Sequence, residues 1–127
     1  MRTTFGRLNR PTVGATYKDI YDQLHFHLAP LKDVAAAFLT ISINPPNVHV
    51  WTLLHGRDER TDAALAGAEL KLMTSFSTVD FDFTTVHLQK KRDPLEFVPE
   101  GAVPVIARDP TVLSHFLGLL SATHAGA

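Results

Sequence analysis

Residues 35–43 read AAAFLTISI, 44–47 read NPPN and 48–54 read VHVWTLL. Two runs rich in β-branched and aromatic residues, joined by an Asn/Pro cluster, predict a β-hairpin. A tight turn places Leu39, Ile41 and Ile43 on one face, with Val48, Val50 and Thr52 opposite them. The other face then carries Phe38, His49, Trp51 and Leu53 beside Thr40 and Ser42. Both faces come out largely apolar, whereas a solvated sheet face is expected to read polar. This hairpin therefore has to be covered on both sides, by the rest of the chain or by a second subunit.

Working outward, Tyr17, Ile20, Tyr21, Leu24, Leu28 and Leu31 follow helical spacing. Thr16 is placed to cap that helix, with Asp19 completing a capping box, and Pro30 should end it. On the other side of the hairpin, Asp58 or Thr61 can cap a second helix. Its stripe is Leu65, Ala68, Leu72, Met73 and Phe76. FDFTTVHL (81–88) is a third strand, and strand–helix–strand order predicts that the strands from 48 and 81 run parallel. Residues 90–101 form a polar loop with room for one helical turn. VPVIAR (103–108) is a short strand that Pro104 assigns to an edge. Asp109-Pro110 opens a last, very apolar helix through Pro at its first position. Val112, Leu113, Phe116, Leu117, Leu119 and Leu120 lie along it.

The expected fold is α+β: a two-layer, or three-layer, α/β sandwich of ferredoxin-like or related type. Its order is α-β-β-α-β-β-α, on a mixed sheet. One domain over 15–122 is expected, preceded by a basic arm (1–14, with a short strand at 3–8) and followed by a frayed tail (123–127). No internal repeat or family motif stands out.

Composition narrows the function classes. The 127 residues include no cysteine, and the formal net charge is -1. Disulfides and thiolate metal sites are excluded. No apolar run approaches the roughly 20 residues of a membrane span, and the basic N-terminus lacks the apolar stretch of a secretory signal. The expectation is a soluble, cytoplasmic protein with no membrane partner.

Catalytic signatures are missing. Serines sit in no nucleophile elbow, and no glycine-rich phosphate loop occurs. No cofactor is expected. His25 and His27, two apart on a helix, diverge by roughly 200° and cannot chelate together; a metal site would need His49, His55 or His87 to converge. Asp80 and Asp82 share one face of a strand. Such a pair can hold Mg²⁺, but the neighbouring strands offer no third carboxylate. The bland reading is a soluble end to an aromatic strand.

Two binding surfaces remain. If the strands from 48 and 81 are parallel neighbours, their C-terminal ends bring His55, Arg57 and Arg60 beside His87, Lys90, Lys91 and Arg92. Ligands of open α/β sheets favour that edge, so an anion, a phosphorylated ligand or nucleic acid could bind there, assisted by the arm. Asp58, Glu59, Asp62 and Asp93 offer local compensation. The second surface is an oligomer interface built on Phe38, His49, Trp51, Leu53 and Phe116. The leading expectation is a non-enzymatic binding or assembly module that works as a homo-oligomer, a dimer. Anion binding is the alternative, and a metal-dependent enzyme using Asp80 and Asp82 ranks last.

Overall fold

The structure, a computed structural model, describes residues 13–89 and 92–125, with side chains from 16 to 89 and from 92 to 120. Residues 1–12, Lys90, Lys91 and residues 126–127 lie outside the described residues. Chain order is α1 (Val13–Leu28), β1 (Val34–Ser42), β2 (Asn47–His55), α2 (Glu59–Ser75), β3 (Asp80–Leu88), a 3-10 turn (Pro94–Phe97), β4 (Val103–Ala107) and α3 (Pro110–Ala125). The fold is α+β, with three helices and one open four-stranded sheet of order β3-β2-β1-β4 among the described residues.

The hairpin forms in the expected register. Leu39 pairs with Val50 and Ile41 with Val48, while Phe38 pairs with Trp51 and Thr40 with His49. β2 and β3 are parallel direct neighbours, and β4 joins antiparallel to β1 at the edge, where Pro104 forfeits no interior ladder bond. β1 is thus internal, and residues Val34 to Leu39 are all buried. A bulge between Val34 and Ala36 lets Val34 and Ala37 join one core cluster while Ala35 and Ala36 both join the other.

The larger cluster packs Ile20, Leu24 and Leu28 of α1 and Leu65 and Leu72 of α2 against Val48, Val50 and Leu54. The smaller one holds Ala36, Phe38, Leu53 and Val112. Trp51, Val86, Leu95, Phe97, Val98 and Phe116 pack on its margin. α3 therefore covers part of the second hairpin face from within the chain, together with the 3-10 turn.

Caps account for the helix starts. Asp58 stands in the β region and its carboxylate accepts from the Arg60 amide at 2.8 Å; Asp109 does the same for Thr111 at 2.9 Å and Val112 at 3.2 Å. Gly56, with φ at +69°, makes the turn out of β2 that a side chain would strain. Arg108 closes the frame. Its Nη1 donates to the Leu31 carbonyl at 2.6 Å and to Val34 at 3.1 Å, and its Nη2 donates to Ala29. One guanidinium thus ties together three carbonyls of the connection between α1 and β1.

Several expectations are corrected. α1 spans Val13–Leu28, so Thr16 lies inside the helix instead of capping it, and residues 13–14 belong to the helix. α3 continues to Ala125, past the point where a frayed tail is expected. Met73 is exposed, because α2 turns Thr61, Leu65, Ala68 and Leu72 inward and Met73 falls beside that stripe. On α3, Leu113, Leu117, Leu119 and Leu120 face out, while Val112 is buried and Phe116 half-buried. The strand expected at 3–8 lies outside the described residues.

Candidate functional site

Pairing registers set the second face of the sheet out in rows across β1, β2 and β3. Ser42, Asn47 and Asp80 form the row nearest the hairpin turn. Thr40, His49 and Asp82 form the next, then Phe38, Trp51 and Thr84, then Ala36, Leu53 and Val86. Strands lie about 4.8 Å apart and same-face residues about 6.6 Å apart along each strand, so the rows form a regular grid. Its last row is apolar and belongs to the smaller core cluster. Its first two rows are polar throughout and belong to neither cluster.

At the boundary the His49 imidazole stacks on the Trp51 indole, with ring centroids 4.1 Å apart and planes inclined by 12°. His49 Nε2 shares a 2.7 Å hydrogen bond with the Thr84 hydroxyl. Asn47 Nδ2 donates to Asp82 Oδ2 at 3.2 Å. Trp51 Nε1 is buried and has no hydrogen-bond partner among the described residues. Thr40, Asn47, His49 and Thr84 are half-buried, and Asp80 and Asp82 are exposed. The result is a polar shelf backed by an aromatic pair.

Of the residues expected at an oligomer interface, Phe38 and Leu53 are fully buried inside the chain. Phe116 lies over Phe38, with centroids 5.6 Å apart. Only His49, Trp51 and Phe116 of that set reach solvent.

The other expected surface is assembled in part. His55 sits beside Leu88 in register, so the ends of β2 and β3 do meet. However, His87 turns toward α2 and donates to Asp62 at 3.1 Å. Arg92 pairs with Glu96 at 2.7 Å and lies over the Phe97 ring. His55, Arg57 and Arg60 are exposed without an ion pair among the described residues. Lys90 and Lys91 lie outside the described residues. His25 is exposed on α1 and His27 half-buried. Among the described residues no group of three His, Asp or Glu side chains could hold a metal ion, so Asp80 and Asp82 gain no third ligand. No described helix is long and apolar enough to cross a membrane.

Sequence reasoning missed the shelf and the Arg108 clamp. The shelf had a signal in the alternation Asn47/His49 beside Asp80/Asp82/Thr84, but reading it required the register between β2 and β3. Arg108 had none, since its acceptors lie more than seventy positions earlier. Comparison with family models, curated proteins and solved structures returns no match.

Proposed function

We propose that this chain is a non-enzymatic binding or assembly module that works as a homodimer, joined through the outward leucines of α3. The observation that carries the reading is the exposure of Leu113 (42%), Leu117 (54%) and Leu120 (57%). Spacings of four and three put these residues on one side of the helix. Leu119 (53%) widens the stripe. A contiguous apolar stripe on a chain that already has a filled core marks a contact surface. Two copies related by a twofold axis would bury it against itself, as closed dimers do. The contact surface thereby moves from the inner residues Phe38 and Leu53 to the outer side of the helix that covers them. With this reading go a cytoplasmic setting and an architecture of helices on both faces of the sheet. That architecture is a relative of the ferredoxin-like sandwiches in which no strand separates parallel β2 and β3. Sedimentation equilibrium at micromolar concentration should give twice the monomer mass; a monomer throughout would refute the reading.

A second reading, anion or nucleic-acid binding, is favoured by one observation: His55, Arg57 and Arg60 stand exposed and unpaired among the described residues at the start of α2. Titration with a mixed oligonucleotide pool tests it, since phosphate contacts weaken steeply as salt rises.

A further inference from the structure

We propose that the polar shelf, together with the open edge of β3, docks an extended peptide of another protein carrying basic residues, arginine foremost, at alternate positions. The charge pattern points to a cation. The three rows from Ser42 to Thr84 contain two carboxylates, Asp80 and Asp82, and no lysine or arginine. Neither carboxylate has an ion pair among the described residues, and Asp82 receives only the neutral Asn47 amide.

Arginine suits the aromatic backing. A guanidinium is planar, stacks on aromatic rings and forks onto a carboxylate, whereas an ammonium does neither as well. His49, stacked on Trp51, lies in the same row as Asp82. A guanidinium over the imidazole therefore has that carboxylate one strand spacing away.

Topology supplies the backbone partner. β3 is an edge strand of nine residues, and its outer edge is unpaired among the described residues. An extended peptide can add there as a fifth strand through main-chain hydrogen bonds. Every second side chain of that strand would fall on the shelf side, opposite Asp80, Asp82 and Thr84, where opposite charges pair favourably across strands. The alternation in the peptide thus follows from the alternation in β3.

This docking does not depend on the α3 dimer, and the test keeps the two apart. The 127-residue chain would be titrated with the capped peptide Arg-Thr-Arg-Thr-Arg, reading both heat and the emission of Trp51, the one tryptophan of the chain. Saturable, salt-sensitive binding is expected, with a change in emission. Asp82→Asn and Asp80→Asn should each weaken it about tenfold, the effect of losing one charge-assisted contact. Glu100→Gln and Leu117→Glu should leave it unchanged. Three results would overturn the proposal: no heat of binding, equal affinity for Arg-Arg-Arg-Thr-Thr, or equal affinity in the Asp82 variant. A fourth concerns the chain's own arginines. If Arg2→Ser, Arg7→Ser and Arg10→Ser together shift Trp51 emission without peptide, the shelf holds the arm and not a partner.

Discussion

The Phe116 ring rests on Phe38 with centroids 5.6 Å apart and planes inclined by 39°. This contact couples α3 to the centre of the sheet. Phe38 is fully buried on an internal strand, so Phe38→Ala should cost about 3–5 kcal/mol. Phe116 is half-buried, and Phe116→Ala should cost less, about 2 kcal/mol. Urea unfolding of both variants checks the order. Equal losses would mean that α3 does not hold this position in solution.

Trp51 carries a half-buried ring and an Nε1 donor without a partner among the described residues. Trp51→Ala should therefore fall below the roughly 3–5 kcal/mol of a fully buried aromatic. Trp51→Phe loses ring area but removes the unpaired N–H, and the two effects offset to within about 1 kcal/mol. Chemical denaturation of the pair, followed by circular dichroism because the fluorophore is gone, measures both.

If the protein dimerises through α3 as proposed, Leu117→Glu should give a folded monomer. The side chain makes no core contact, so the stability of each protomer should stay within about 0.5 kcal/mol. Sedimentation combined with unfolding at low protein concentration separates the two effects. A dimer that survives in the Leu117→Glu, Leu120→Glu double variant would place the interface elsewhere.

Arg108→Ala removes one guanidinium from three carbonyls. Hydrogen bonds to charged groups contribute roughly 1.5–3 kcal/mol when buried. Arg108 is exposed, so solvent screening reduces the expected loss to about 1–2 kcal/mol. Arg108→Lys should recover little of it, since an ammonium cannot span acceptors set for a planar fork. Thermal melts of the two variants should nearly coincide.

Burial raises the Glu69 carboxyl above its ordinary value. Folding therefore favours the protonated form. The stability linked to Glu69 is present below the ordinary carboxylate range and is lost as pH rises through the raised folded value. Glu69→Gln should melt slightly higher than the parent at neutral pH and match it in acid. Melting temperatures across pH 3–7 would show whether the two curves converge at the acid end, as about one titrating group requires.

Periodicity and turn chemistry carry most of this fold. The NPPN turn, the residues of β1 and β2 that share each face, the parallel β3, the Asp109-Pro110 start, Asp58 as one of two candidate caps and the edge position of Pro104 are all local or nearest-neighbour features, and each was legible. Thr16 misled because a good capping residue is also tolerated inside a helix, so start signals rank positions without excluding earlier ones. The outward leucines of α3 could not be sorted from the inward residues, since a helix apolar on most sides has no preferred face until its neighbours are known. The site was harder still. His49 with Thr84, and Asn47 with Asp82, meet only after a strand, a helix and a second strand are aligned. Nothing within either segment announces the other.

The position of β1 has a consequence for synthesis. In the finished sheet it is internal, but its partner β4 and the ring of Phe116 lie 61 or more residues downstream of its last residue, Ser42. Until residue 107 has left the ribosome, the outer edge of β1 is an open row of amides and carbonyls on a strand whose first six residues are all apolar. Phe38 lacks the Phe116 ring that covers it until α3 follows. A stalled or truncated chain ending before Val103 would present Val34 to Leu39 as a sticky edge. Such a fragment should form β-rich aggregates and bind chaperones that recognise extended apolar segments, whereas the completed chain keeps the same six residues out of reach.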